Sequence, residues 1–411
     1  MSISRMASAL AESPTLKLNA RAKQLKDKGE PIIHLGAGEP KSKVPPDAVR
    51  AATEHLATGE VRYTASGGTP ELKRAVVGYT ERWYGRKVEP ANVLISGGAK
   101  QALSNALTTL VNPGDEVIIL APYWVSYPEM VRMVYANPVI VPPTEGRFYP
   151  DAADVENAVT GATKAILLNS PNNPSGAVHP PEFIEALVDL CERKGVYLIM
   201  DDIYHQLIFD GAAFVPAWRY ARQGVEDGRI IVVNGVSKLY AMTGFRIGWT
   251  VAPKALVKIM DNVQSQTTSC PSALSQTAAL GALTGSQDCV TALRTDLEAN
   301  RDIIVRELRK IPGINVTPPG GTFYCFPDFR AVCPDSMKLG EFLLDKVKVV
   351  TVPGKEFGLE GFIRLSYCGS ARDVVEGVAR IRWAVDPDAP PETEIGGHRF
   401  VRDWDPAGLR G

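Results

Sequence analysis

The chain has 411 residues and a formal net charge of −1 at pH 7, and 45% of its residues are hydrophobic, which is typical of a globular protein with a large core and more than one domain. The near-neutral charge gives no electrostatic reason to expect a nucleic-acid or membrane partner, and no apolar run reaches the roughly 18 residues of a membrane span. Six scattered cysteines without a CxxC pair favour reduced thiols in the cytoplasm over a disulfide framework or zinc site, so we expect no metal.

The middle of the sequence alternates short apolar runs with amphipathic stretches. The pattern predicts strands at Val93–Ser96, Glu116–Leu120, Pro138–Val141, Lys164–Asn169, Val196–Met200, Ile230–Asn234 and Ile247–Ala252. It predicts helices between them at Gln101–Val111, Tyr127–Val134, Ala152–Val159 and Pro181–Lys194. Because several apolar runs are unbroken and β-branched, we expect strands buried on both faces of a largely parallel sheet. Functional residues of such an α/β fold lie at the carboxyl ends of the strands.

The remainder of the chain has a different pattern. It is helical at 253–263 and from 272 to about 310, and the part beyond Gly313 reads as short strands around one helix. We therefore predict an N-terminal arm (residues 1–46) that joins a small domain, a large domain (47–290), a small α+β domain (291–385) and a C-terminal tail (386–411). The tail is rich in proline and charge, and although its aromatic segment His398–Trp404 could dock, no function follows from it.

One lysine is the most informative residue of the chain. Lys238 follows the apolar run Ile230–Val233 and is flanked by small residues in the segment Gly235–Gly248. A buried amine with a lowered pKa is a nucleophile that a carbonyl cofactor can trap as an imine. Arg246, eight positions later, could bind a phosphate through its planar guanidinium. Either residue alone is more often a solvated surface charge, so other strings must support a cofactor site.

Two further strings that follow predicted strands suit such a site. Gly98, Ala99 and Lys100 open a predicted helix, where backbone N–H groups bind anions, although a tight strand–helix turn would also explain the glycines. Asp201 follows another strand and could pair with a protonated ring nitrogen, or simply cap the strand.

Two loops add polar and aromatic candidates. Asn173 lies in the turn-rich string 169–176, which alone could be an ordinary loop. Trp124 lies in the aromatic string 121–128, which alone could belong to the core. Their position after predicted strands places both near the same edge of the sheet.

Together these strings resemble the signatures of class I/II aminotransferases, in the fold-type I family of pyridoxal-phosphate enzymes. The likeness covers about residues 10–383 and is greatest to bacterial aspartate and aspartate/prephenate aminotransferases. It implies a mostly parallel seven-stranded sheet with helices on both faces, a smaller α+β domain, and pyridoxal 5′-phosphate joined as a Schiff base to the catalytic Lys238. The cofactor-binding residues that it implies are Tyr63, Gly98, Ala99, Lys100, Trp124, Asn173, Asp201, Tyr204, Ser237, Lys238 and Arg246. The substrate-binding residues that it implies are Gly38, Lys100, Trp124, Asn173 and Arg364.

The resemblance also implies individual roles. Asp201 would pair with the pyridine nitrogen, and Trp124 would stack on the ring. Asn173 and Tyr204 would bind the ring oxygen. Tyr63 matches a tyrosine that reaches the phosphate of the partner subunit, which implies a homodimer with shared active sites.

The implied reaction is a ping-pong transfer of the α-amino group of an L-amino acid to 2-oxoglutarate, with Lys238 as general base. Arg364 matches the arginine that binds the substrate α-carboxylate. Lys100 could bind a second, distal carboxylate, so aspartate is the leading donor, although a surface lysine in a first helical turn is the simpler interpretation.

Other interpretations remain open at this point. The alternatives are an aminotransferase for alanine, aromatic or branched amino acids or prephenate, and a lyase on the same fold. A cofactor-sensing regulator would need an added DNA-binding domain. Prephenate-using relatives carry a basic residue near the N-terminal arm that is not evident at Ala11–Glu12. Thr15 and Gln266–Ser269 are further candidate polar contacts to the substrate.

Overall fold

The computed structural model of the protein describes residues 3–10 and 14–410. Its α-helices, α1 to α13 in chain order, are Arg5–Ala9, Pro14–Asp27, Pro46–Ala57, Pro70–Tyr84, Ala99–Leu110, Ser126–Met133, Ala152–Asn157, Pro181–Lys194, Lys254–Thr267, Ala273–Thr284, Asp288–Leu308, Ser336–Val347 and Ala371–Val385. Its strands, β1 to β14, are Ile33–His34, Val93–Ser96, Glu116–Leu120, Asn137–Val141, Thr163–Asn169, Tyr197–Asp201, Ile230–Gly235, Gly248–Val251, Tyr324–Cys325, Val349–Val350, Val352–Pro353, Ile363–Ser366, Glu392–Ile395 and His398–Val401. Within the described ranges, no helix is long and apolar enough to cross a membrane.

Seven strands form the central sheet, in the order β2-β8-β7-β6-β5-β3-β4. The strands from β7 to β4 run parallel, whereas β8 is antiparallel to both of its neighbours. The ends of all seven strands lie within one residue of the predicted ends. The prediction of a mostly parallel α/β sheet is therefore confirmed.

The sheet is buried on both faces because its apolar strands alternate their side chains between two cores. One core includes buried residues of α4, α8 and α10, and its sheet members include Ile118, Ile166, Leu198 and Val232. The other includes buried residues of α5, α6 and α9, and its sheet members include Ile119, Leu167, Ile199 and Val233. Helices therefore cover both faces of the sheet.

The topology brings several chain segments together at one edge of the sheet. Asn169 at the end of β5 pairs with Asp201 at the end of β6. Because β8 runs in the opposite direction, its first residue, Gly248, pairs with the last residues of β7 and β2, Gly235 and Ser96. The residues that follow β2, β5, β6 and β7 therefore meet the residues that precede β8.

A smaller unit consists of α11, α12 and α13 with the short strands β9 to β12. Strands β11, β12 and β9 form an antiparallel sheet, and β10 pairs in parallel with β1 of the N-terminal arm. The predicted helical stretch from 272 to 310 is two helices; between them, the backbone at Gly285 lies against Asp47 and Ser286 donates its N–H to that carboxylate at 3.1 Å. This tertiary contact accompanies the end of α10 at Gly285, where the Gly-Ser pair is also a local helix-stop signal.

Residues 386–410, which the sequence suggests are a tail, contain a β-hairpin. Strands β13 and β14 pair in full register around Gly396 and Gly397, whose φ angles are 64° and 82°. Two consecutive positive φ values are those of a type I′ turn, which favours glycine. Phe400 is buried, and the Trp404 ring packs edge-on against Trp383 with centroids 5.4 Å apart. The hairpin is thus packed on α13.

Candidate active site

A cavity of about 770 Å³ lies where the strand ends meet the smaller unit. This volume is typical of sites for small ligands. The predicted residues that line it are Gly38, Ala99, Lys100, Trp124, Asn173, Asp201, Tyr204, Ser237, Lys238, Arg246 and Arg364. The fold therefore brings together residues that are up to 326 positions apart in the sequence, from Gly38 to Arg364.

Lys238 is half-buried in the cavity. Its Nζ donates to the Gly38 carbonyl at 2.5 Å and lies 5.9 Å from the ring centroids of Tyr204 and Phe323. Burial, and then the positive charge of Arg364, lower the pKa of Lys238 to about 8. A lysine with this pKa is partly neutral near neutral pH, and a neutral amine can attack a carbonyl or accept a proton.

An anion cradle is formed by Arg246 and the amino end of α5. Gly98 caps this helix with a φ of 95°, and any side chain there would collide with the Arg246 guanidinium. Arg246 donates to the Thr243 carbonyl at 3.0 Å and to the Gly97 carbonyl at 3.4 Å, which fixes its position. A guanidinium beside free backbone N–H groups is suited to a phosphate.

Asp201 is a buried carboxylate in which one oxygen lacks a hydrogen-bond partner among the described residues. Its Oδ2 accepts a hydrogen bond from the Tyr127 hydroxyl at 2.7 Å, whereas Oδ1 has no hydrogen-bond partner among the described residues. Burial raises the pKa of Asp201 to about 6, and the Tyr127 hydrogen bond opposes that rise. Since an unpaired buried acceptor is unfavourable, Oδ1 is placed to receive a donor from a ligand.

Arg364 on β12 supplies a second cationic position. It is only 6% exposed, and its two terminal nitrogens donate to Asn173 Oδ1 at 3.0 Å and to the Gly36 carbonyl at 3.1 Å. Its guanidinium carbon lies 4.4 Å from the Tyr324 ring centroid, and burial lowers the pKa of Arg364. The group remains a cation, and its fork geometry matches a carboxylate.

A chain of hydrogen bonds fixes the loop that carries Asn173. The Asn173 backbone N–H donates to Asn169 Oδ1 at 2.8 Å, and Asn169 Nδ2 donates to the Asp201 carbonyl at 2.7 Å. Asn173 is thus tied to Asp201 on one side and, through its own side chain, to Arg364 on the other.

Lys100, in the first turn of α5, is the second lysine of the cavity. Its Nζ lies 4.8 Å from the Trp124 ring centroid, and burial, followed by the charge of Arg246, lowers the pKa of Lys100. Among the described residues, none forms a hydrogen bond or ion pair with this amine. An anionic ligand would supply the missing counter-charge.

The structure does not place every predicted residue in the cavity. Tyr63 is 93% exposed and, like Gly98, is absent from the cavity wall. Residues 266–269 do not line the cavity either; the Thr268 hydroxyl instead accepts a hydrogen bond from Gln101. Ala11 and Glu12 lie outside the described residues, and so does the side chain of Thr15.

Among the described residues, seven polar residues of the cavity wall were missed by sequence reasoning, namely Asn19, His34, Glu39, Tyr127, Asn169, Thr243 and Tyr324. Tyr127 and Asn169 lie inside strings already singled out, so their position next to Trp124 and Asn173 was an available signal. Tyr324 and His34 also line the cavity, but they come from distant segments without a motif.

Comparisons with known proteins agree with this geometry. The model of the family described as "Aminotransferase class I and II" matches residues 30–381. A relative from Aquifex aeolicus, named a probable aspartate/prephenate aminotransferase, is 39% identical over 383 residues, which are 92% of this chain and 97% of the relative.

Two solved structures are similar to the whole body of the chain. The aspartate aminotransferase of Rhizobium meliloti superposes with a TM-score of 0.89 at 38% identity, covering 93% of this chain and 98% of that one. The aspartate aminotransferase of Thermus thermophilus, solved with maleate, superposes with a TM-score of 0.88 at 38% identity, covering 93% of this chain and 100% of that one. The chain therefore belongs to the class I and II aminotransferases, pyridoxal-phosphate-dependent enzymes that exchange amino groups between amino acids and oxo acids.

Proposed function

We propose that the protein transfers the α-amino group of aspartate to 2-oxoglutarate. The observation that carries this proposal is that the cavity holds Arg364 and Lys100 in addition to Lys238 and to Arg246 of the anion cradle. A dicarboxylic amino acid offers one carboxylate to Arg364 and one to Lys100. The names of the similar proteins from A. aeolicus and T. thermophilus, and the dicarboxylate maleate in the latter structure, support the same substrate class.

The residues of the cavity fit pyridoxal 5′-phosphate. The cradle of Gly98 and Arg246 suits the phosphate, and the unpartnered Oδ1 of Asp201 suits a protonated ring nitrogen. The other cofactor contacts that we propose are Ala99, Lys100, Trp124, Asn173, Tyr204 and Ser237. When bound, the cofactor supplies an aldehyde that condenses with amines and a ring that draws electrons from the substrate Cα.

We propose that Lys238 and Arg364 divide the work on the substrate. Arg364 binds the α-carboxylate and so orients the Cα–H bond toward the Lys238 amine. Lys238 Nζ, whose pKa is lowered to about 8, takes the Cα proton and later returns it. Asp201 remains ionised near neutral pH, because its pKa of about 6 lies below that range, and so it can hold a cationic ring nitrogen. Gly38, which accepts from Lys238 in this structure, would contact the substrate.

We further propose a homodimer with shared active sites. Tyr63 is 93% exposed, and Val61, Leu56 and Val49 are exposed apolar residues in the same N-terminal part of the chain. A mixed-dimer experiment tests this: Tyr63→Ala and Lys238→Ala subunits, each inactive or weak alone, should regain activity on mixing, because one site per mixed dimer would have both wild-type residues. If the two variants exchange subunits and the mixture still does not regain activity, the active sites are not shared.

Two further assignments concern the domain boundaries and the cellular location. We propose a large cofactor-binding domain of residues 47–290 and a small domain formed by the arm and residues 291–385, which is supported by the β1–β10 pairing. We also propose a cytoplasmic location, which is supported by six cysteines that are all free. Cell fractionation would test the location.

A screen of single half-reactions tests the substrate assignment. The purified enzyme is mixed with one amino acid at a time, and the absorbance change of the cofactor is followed. Aspartate and glutamate should react at least about tenfold faster than alanine, phenylalanine or leucine, as expected if a second carboxylate contributes about 1.4 kcal/mol. Prephenate as amino acceptor forms a separate arm. Faster reaction with an apolar amino acid, or formation of ammonia and oxo acid without an acceptor, would overturn the assignment.

A further inference from the structure

The C-terminal hairpin lies beyond the residues that match the family, which end at Ile381. It nevertheless touches a buried ion pair inside the smaller unit. Arg380 on α13 is 1% exposed and pairs with Glu376 at 2.5 Å. The Phe400 ring lies over the guanidinium, with its centroid 4.8 Å from the guanidinium carbon. This contact places a hydrophobic cover on a buried charge.

The turn of the hairpin touches the other member of the pair. Gly396 packs so closely on Glu376 that any side chain there would collide with the carboxylate. The neighbouring Gly397 also has a positive φ, but no atom lies within 4 Å of the position that a Cβ would take there. The hairpin therefore contacts both members of the ion pair, Phe400 on the cation and Gly396 on the anion.

Arg380 in turn holds the N-terminal arm. It donates to the carbonyl of Pro31 at 2.7 Å and to that of Val347 at 3.3 Å. These carbonyls lie just before the paired strands β1 and β10. Gly377, one turn earlier on α13, lets Leu35 of the arm pack against the helix backbone. Arg380 thus fixes the point at which the arm enters the smaller unit.

The arm then runs directly into the cavity. The Leu35 carbonyl accepts from Ser366 N–H at 2.6 Å. One residue later, the Gly36 carbonyl binds Arg364 at 3.1 Å, and the Gly38 carbonyl binds Lys238 at 2.5 Å. The position of the arm therefore sets the surroundings of both side chains that act on the substrate.

We propose that the C-terminal hairpin is a brace for the substrate-binding arm, in which Phe400 and Gly396 hold the Arg380–Glu376 pair and this pair holds the arm at Pro31. Phe400 is a positioning residue that acts through Arg380 and does not touch the substrate. The proposal rests on the proposed role of the arm and Arg364 in substrate binding.

Hydrogen exchange of the full-length enzyme saturated with pyridoxal phosphate tests the brace. In Phe400→Ala, backbone amides of residues 33–38 should exchange at least about fivefold faster, because the arm opens more often. The KM for aspartate should rise about fivefold, whereas kcat should change less than about twofold, because the chemical groups are intact. Phe400→Leu, which keeps an apolar cover on Arg380, should restore most of both values.

Gly396→Ala and Gly397→Ala form a matched pair that does not depend on the fate of Phe400→Ala. Both place alanine at a positive φ in the same turn, but only the first meets Glu376. We expect the amides of the arm to exchange faster in Gly396→Ala and at the wild-type rate in Gly397→Ala. Equal effects in both, or a fast-exchanging hairpin above an unchanged arm, would overturn the brace. Hydrogen exchange is measured without turnover. An enzyme that is inactive toward aspartate would therefore refute the substrate assignment, while the exchange rates of the arm would still test the brace.

Discussion

Removing Arg364 should abolish recognition of the substrate α-carboxylate while sparing the rest of the site. Arg364→Met replaces the buried guanidinium by an apolar chain of similar length. In the structure this guanidinium is 6% exposed, and its hydrogen-bond partners are the neutral oxygens of Asn173 and Gly36, which a carboxylate can replace. The variant therefore loses a charge-assisted, bidentate contact that no other described residue is placed to supply.

The magnitude follows from these contacts. Each hydrogen bond to a charged group contributes about 1.5–3 kcal/mol, and part of the gain is offset by the two neutral bonds that the substrate displaces. A net loss of about 3–4 kcal/mol corresponds to a decrease in kcat/KM for aspartate of roughly 100- to 1,000-fold.

The assay compares aspartate with 3-aminopropanoate, which is aspartate without its α-carboxylate. Half-reaction rates of the wild-type enzyme should strongly favour aspartate, and Arg364→Met should lose most of that preference while reacting with 3-aminopropanoate nearly as the wild type does. Arg222→Met is the control, since the Arg222 side chain is 70% exposed and pairs with Asp189 of α8, and neither residue lines the cavity. An equal decrease for both amines, or undiminished preference for aspartate, would refute the assignment of Arg364.

Three further changes test other parts of the site. The pKa of Asp201 is raised from 3.8 to about 6, so the folded state holds this proton more tightly, and the contribution of Asp201 to stability decreases as the pH rises from about 4 to 6. Between pH 4 and pH 7, the free energy of unfolding of cofactor-free Asp201→Asn should therefore increase by about 3 kcal/mol relative to that of the wild type. The measurement is the difference in Tm between the two proteins, and a difference that stays constant with pH would contradict this prediction. Lys100→Gln should lower kcat/KM about tenfold or more for aspartate but under about twofold for alanine, and a similar loss for both would remove Lys100 from the distal-carboxylate site. Tyr127→Phe, which deletes the donor to Asp201, should weaken cofactor binding about tenfold in a fluorescence titration, whereas unchanged binding would show that this hydrogen bond does not support the site.

The central fold could be predicted because its signals are local. Apolar β-branched runs such as Ile230–Val233 specify buried strands by composition alone, and the structure places these strands as predicted. The break before Asp288 was not predicted although Gly285–Ser286 is a local helix-stop signal, whereas the contact between Gly285 and Asp47 exists only in the tertiary fold. The hairpin around Gly396 was overlooked although a Gly-Gly pair is a hairpin signal, because proline and charge on either side are typical of a tail.

The candidate site divides in the same way. Lys238, Asp201 and Asn173 lie in strings that resemble family signatures, and the family, the cofactor and the transaminase activity expected from them are confirmed. Tyr324 and His34 could not be predicted because only the tertiary fold brings them to the cavity. The individual roles of the site residues and the amino donor remain predictions.

The most direct measurement is the chemical identification of the lysine that bonds to the cofactor. Borohydride reduction of the pyridoxal-phosphate enzyme makes that bond permanent, and peptide mass mapping then locates the label. Among the residues that the structure describes, the lysines of the cavity wall are Lys238 and Lys100, so the experiment discriminates between them. We predict a single phosphopyridoxyl label on Lys238 and none in Lys238→Ala. A label on Lys100, or a label retained by Lys238→Ala, would contradict the assignment of Lys238 as the catalytic lysine.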